Sequence, residues 1–155
     1  MFRSINLVLM AVAVAAIAGG CGSHGERSGA SGRADAQLTR LAARDDAHHS
    51  AARQATDAGA LHDETRRYAA DMDSLTAEMM AACGEMMSGM MGGMMGHRAD
   101  AMRAMLDSMS SAVHAHHGRM DSLETLEGMR IECEEHHRAM DGMLAGLRGV
   151  SGGMM

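Results

Sequence analysis

The sequence predicts an all-α protein, an antiparallel four-helix bundle built as a duplicated helical hairpin. Three observations carry this. The 155 residues include no proline, and alanine and methionine are abundant, so little beyond short glycine-bearing turns interrupts helix from Arg33 onward. Apolar residues recur at alternating steps of three and four, which keeps one helical face toward a bundle interior. The two halves also repeat. A shift of about 68 positions lays His48-His49 on His116-His117, Leu61 on Met129, Glu64 on Glu132, Tyr68 on His136 and Met72-Asp73 on Met140-Asp141. Two long hairpins from separate copies, joined as a homodimer, would cover the same seams.

The chain opens Met1-Phe2-Arg3 and runs apolar from Ile5 to Ala18. A basic start, an apolar stretch too short to span a bilayer as an ordinary helix, and small residues after it make residues 1–20 an export signal. Ile17-Ala18-Gly19-Gly20-Cys21 resembles the lipobox of bacterial lipoproteins, with Ala18 where that family prefers leucine. The resemblance covers 21 residues. It implies a diacylated Cys21 as the first mature residue and a protein anchored to a bacterial envelope membrane, facing the periplasm. Residues 21–32 are rich in glycine and serine and read as a disordered tether.

The bundle is expected over residues 33–148. The first helix, from about Arg33 to Gln54, has the stripe Leu38, Leu41, Asp45, His48 and Ala52. The second, capped by Thr56 or Asp57, carries Leu61, Thr65, Tyr68, Met72, Leu75, Met79 and Ala82. The third, Ala99 to Arg119, carries Met102, Met105 or Leu106, Met109, Val113 and His116. The fourth, Leu123 to Leu147, carries Leu126, Met129, Cys133, His136, Met140, Met143 and Leu147. A Gly/Met tail, 149–155, follows.

Between the second and third helices lies a methionine-rich loop, 84–97, entered from Cys83. It holds Met86-Met87, Met90-Met91 and Met94-Met95 and ends at His97. Gly84, Gly89, Gly92, Gly93 and Gly96 each cost a helix ~1 kcal/mol against alanine, ~5 kcal/mol together. The loop is therefore expected to be disordered until its thioethers wrap an ion.

The formal net charge is −6, and every basic residue is arginine. That balance disfavours nucleic acid and suits cations. Thioether, thiolate and imidazole are the donors that soft ions prefer, so copper is the expected cofactor, as Cu(I) above all, with zinc and silver as the other candidates. Ligand candidates fall in three places. The first is the methionine loop with Cys83 and His97. The second is a stripe on the fourth helix, Met129, Cys133, His136 and Met140, which share one face. The third is a histidine-rich end of the bundle from which His48 or His116 faces that stripe.

An intramolecular disulfide is not expected, which leaves the two thiols for a metal or an exposed Cys83 for an intermolecular bond. Cys133 aligns with Thr65, eighteen residues from Cys83 along equivalent helices, a separation of ~27 Å. Enzyme chemistry finds little support. A di-iron bundle needs two Glu-x-x-His motifs, and only Glu134-x-x-His137 is present. Covalent haem needs Cys-x-x-Cys-His, and aromatic residues to pack a porphyrin are nearly absent. Methionine clusters resemble those of periplasmic copper-handling proteins in composition alone. The expectation is a non-enzymatic, lipid-anchored protein that buffers, stores or hands over copper. The alternative is a helical envelope chaperone, stress sensor or interaction protein that uses adaptable methionine surfaces.

Overall fold

The computed structural model describes the backbone of residues 27–88 and 93–152, and the side chains of residues 32–84 and 97–151. Cys21, Met90, Met91 and the last three residues lie outside the described residues. The described residues form four helices: α1 (Arg27–Gln54), α2 (Ala58–Ser88), α3 (Gly93–Asp121) and α4 (Leu126–Gly152). Among the described residues there is no strand, and no helix is long and apolar enough to cross a membrane.

The helices form a square. α1 and α3 each pack against both α2 and α4, and α2 also touches α4 across a diagonal. The expected all-α four-helix bundle is what forms. The seams explain it: Leu38, Leu41, Asp45, His48 and Ala52 are all buried on α1, and Leu61, Thr65, Tyr68, Met72, Leu75 and Met79 on α2. On α2 the last seam position is Cys83, where Ala82 was expected; Ala82 is only partly buried. On α3, Leu106 is buried and Met105 only partly so.

The offset of 68 is visible in space. His48 meets His116, and Tyr68 meets His136, each pair 68 residues apart and each reaching across a diagonal of the square. Contacts between equivalent residues arise where a pseudo-two-fold axis passes between them. Here that axis runs along the bundle. The same offset pairs Leu38 with Leu106, Leu41 with Met109, Ala52 with Met120, Thr65 with Cys133 and Met79 with Leu147, and all ten are buried.

Helix boundaries differ from the expected ones. α1 begins six residues earlier, within the expected tether, and α4 runs on through Gly152, into the expected tail. The two ends brace each other: Ala34 and Ser151 are buried, and Ser151 Oγ donates to Asp35 Oδ1 at 3.1 Å. α4 starts at Leu126, because Thr125 Oγ1 accepts the Gly128 N–H and caps it. Asp57 Oδ1 accepts from Ala60 N at 2.8 Å and caps α2.

The methionine segment is also more helical than expected. α2 continues to Ser88 and α3 starts at Gly93, so the backbone at Met86, Met87, Met94 and Met95 is helical. Once Met79 and Cys83 are docked, each further residue adds a backbone hydrogen bond without a new nucleation cost. That gain outweighs the penalty at Gly84.

The interior has two apolar clusters. The larger runs from Leu38 and Cys83 to Leu147; the smaller holds Ala52, Leu61, Met120, Met129 and Cys133. Between them lies a polar layer of Asp45, His48, Thr65, Tyr68, His116 and His136, all buried.

Candidate metal centre

The polar layer is set by one level of the bundle, where each helix contributes a seam residue: His48 from α1, Thr65 from α2, His116 from α3 and Cys133 from α4. His48 Nε2 and His116 Nε2 lie 3.2 Å apart. Cys133 Sγ stands 3.7 Å from the first and 4.0 Å from the second. Met120 Sδ lies 3.9 Å from Cys133 Sγ. All four donors are buried.

These separations match coordination edges. Tetrahedral ligands with N at ~2.05 Å and S at ~2.3 Å from one ion stand ~3.3 Å apart for N to N and ~3.6 Å for N to S. The His48, His116 and Cys133 donors, all within 4.8 Å of one another, can hold a metal ion with shifts of a few tenths of an ångström.

A glutamate stands near the Nδ1 of each imidazole, but only one of them is within hydrogen-bond reach. His116 Nδ1 donates to Glu132 Oε1 at 3.0 Å, and Glu132 is itself held by Arg119 Nε at 2.8 Å. His48 Nδ1 lies 3.7 Å from Glu64 Oε1, beyond hydrogen-bond reach, and is buried without a partner, while Arg44 holds that carboxylate at 2.9 Å. At His116 the proton on Nδ1 leaves Nε2 as a lone pair for the ion. Each ring is also stacked: His48 on Tyr68 at 4.2 Å between centroids and His116 on His136 at 4.1 Å. Glu64 and Glu132, like Tyr68 and His136, are equivalents under the offset of 68, so the shell of the centre is two-fold symmetric. The symmetry breaks at Cys133 and Met120, whose counterparts are Thr65 and Ala52.

Burial sets the protonation states. It lowers the His48 and His136 pKa to about 3, and the neighbouring imidazoles act in the same direction. It lowers that of His116 as well, against the pull of Glu132. Neutral imidazoles are ready ligands. Burial pushes the Cys133 thiol up to about 12, helped by Glu132 and Asp45. Without an ion Cys133 is therefore a thiol, and loading an ion releases its proton.

His136 takes a different part from the one expected of it. Tyr68 O–H donates to Asp45 Oδ1 at 2.8 Å, and His136 Nε2 lies 2.9 Å from the same phenol oxygen. His136 Nε2–H is thus the donor to Tyr68 and has no lone pair for a metal. Asp45 continues the chain to His137 Nδ1 at 2.6 Å, and His137 stacks on His49 at 4.2 Å. Burial raises the Asp45 pKa despite His137 and Tyr68; burial also acts to lower that of His137, but the carboxylates of Asp45, Asp141 and Asp46 together outweigh it and raise the pKa. Asp45, His137 and Asp141 form a second group of convergent donors, at the edge of the bundle.

The other candidates are dispersed. Met129 packs beside Cys133 in the smaller cluster, and Met140 belongs to the larger one. The stripe Met129, Cys133, His136 and Met140 is therefore not one ligand set. Seven residues of helix span ~10 Å, so Met140 and Cys133 cannot share an ion. Cys83 is a free, buried thiol, as is Cys133. Its Sγ lies 3.1 Å from Met102 Sδ in the larger cluster, whereas Cys133 belongs to the smaller one. His97 is exposed. The side chains of Met86, Met87, Met94 and Met95 lie outside the described residues.

Met120 was not among the sequence candidates. The signal was present: it follows His116 by four residues and continues the α3 seam. Ending that helix at Arg119 placed it in a turn.

The chain matches no family model, no curated protein and no solved structure.

Proposed function

We propose that this is an envelope copper protein, anchored through Cys21, that holds one copper ion between His48, His116 and Cys133 with Met120 as a weaker fourth ligand. The observation that carries the proposal is the convergence of the first three donors from three helices, with ligand atoms within 4.8 Å of one another.

The donor set favours copper. No carboxylate lies in the inner set, which argues against calcium and magnesium. Zinc accepts imidazole and thiolate but draws its remaining ligands from cysteine, histidine and carboxylate, whereas two imidazoles, a thiolate and a thioether are together a set of donors that copper takes. The methionine segment 84–97 supports the same reading from another part of the chain. Thioethers carry no proton, so they capture Cu(I) over a wide pH range and suit buffering or pick-up beside a buried centre.

The test is a Cu(I) titration of the chain from Cys21 onward against a competing chelator, in wild type and Cys133→Ser. The expected result is a tight equivalent that the variant lacks, above any weaker binding by the methionine segment. Equal tight binding by both proteins would overturn the assignment, and a preference for zinc over copper would replace the metal.

A further inference from the structure

We infer that the copper centre is a one-electron carrier, a role that rests on the copper reading and goes beyond storage or handover. A bound copper ion can act on a substrate, be passed on, brace the fold or exchange electrons. The first two need an approachable coordination position. His48, His116, Cys133 and Met120 are each at most 2% exposed, and the two imidazole faces are covered by Tyr68 and His136. Bracing the fold is a poor account of the site, because apolar clusters above and below already join all four helices.

Electron exchange fits what remains. Two imidazoles, a thiolate and a thioether, here Met120 Sδ at 3.9 Å from Cys133 Sγ, are the donor types of copper electron-transfer sites. Stacking fixes both ring planes, and the Nδ1 bond to Glu132 further holds His116, so the ligands sit nearly where either oxidation state needs them. In the step, Cu(I) becomes Cu(II) and one electron passes to an outer-sphere one-electron acceptor. No ligand bond forms or breaks, and Cys133 stays a thiolate, its proton having left when the ion bound. The route out is short: His116 Nδ1 to Glu132 at 3.0 Å, Glu132 to Arg119 at 2.8 Å, and the Arg119 side chain is 55% exposed. Glu132 also tunes the centre as a positioning residue, since its carboxylate favours the more positive Cu(II) state.

The experiment uses copper-loaded protein from Cys21 onward. It is cycled with ascorbate and ferricyanide in the presence of a Cu(I) chelator, and its midpoint potential is measured by mediated titration, in wild type and Glu132→Gln. The inference predicts a reversible one-electron couple, copper retained through repeated cycles, and a higher potential in the variant. Copper that stays bound but cannot be cycled, or that escapes to the chelator on reduction, overturns the inference and leaves the copper reading standing. An unchanged potential in Glu132→Gln overturns the tuning role. Failure to load copper at all overturns the reading beneath it.

Discussion

His48 and His116 meet Nε2 to Nε2 at 3.2 Å, across the bundle and 68 residues apart in the chain. They are equivalent positions of a duplicated hairpin, brought together on the axis that relates the two halves. Everything proposed for the centre follows from that meeting, because it puts two neutral imidazoles where a third ligand from either side can complete a site.

The first prediction concerns sidedness. Thr65 stands opposite Cys133 across the histidine pair, and both are buried. Cys133→Thr should abolish tight copper binding. Adding Thr65→Cys to it should restore one equivalent, since symmetry gives the new thiolate the same two imidazoles. Copper stoichiometry measured on the single and double variants checks this, and a double variant that stays silent would count against an equivalent position.

Met120 and Met140 separate the ligand from the packing residue. Methionine to leucine conserves volume and costs a core less than about 1.5 kcal/mol. Both Met120→Leu and Met140→Leu should therefore fold. Only Met120→Leu should change copper affinity and the visible spectrum of the Cu(II) form, so the two spectra side by side are the readout.

Glu132 orients His116 from outside the ligand set. Such outer contacts typically carry ~10–100-fold in metal affinity, so Glu132→Ala should weaken copper by about that factor. Chelator competition measures it.

Tyr68 should matter to stability without being a ligand. Tyr68→Phe removes the donor to Asp45 and the acceptor for His136, both buried. Leaving such groups unsatisfied costs ~1–3 kcal/mol each. Urea unfolding of the metal-free protein should show a loss of ~2–6 kcal/mol.

The metal-free protein should also be acid-labile. The unfolded chain protonates its histidines near pH 6.5, while native His48 and His136 resist protonation down to about 3 and His116 is lowered as well. The unfolded state then binds more protons between those limits. Their stabilisation is complete above about pH 6.5 and is lost as pH falls toward 3. His137 and Asp45, both raised, act in the opposite sense and offset part of the loss. Unfolding free energy should be lower at pH 4 than at pH 6.5, and its measurement across that range checks this.

Much of the fold was legible because seams of three and four residues and an offset of 68 are properties of the chain alone. His48, His116 and Cys133 were legible as buried candidates for the same reason. Which of them would share an ion was not. A stripe along α4 looks like a ligand set on a helical wheel, but an ion takes donors from one level of several helices, and Met129 to Met140 runs along the axis. His136 was legible as a buried seam residue, but not its contact with Tyr68, 68 positions away, whose phenol oxygen lies 2.9 Å from its Nε2. Thr125 capping α4 and Met120 extending α3 shift boundaries by only two or three residues, yet the second decides whether a fourth ligand is counted.

The most direct test of the central claim is X-ray absorption at the copper edge of protein loaded with one equivalent of Cu(I). Two nitrogen scatterers and one short sulfur scatterer, with the sulfur lost in Cys133→Ser, is the result expected. A shell of thioether sulfurs without imidazole, unchanged in that variant, would place the copper in the methionine segment and contradict the assignment to His48, His116 and Cys133.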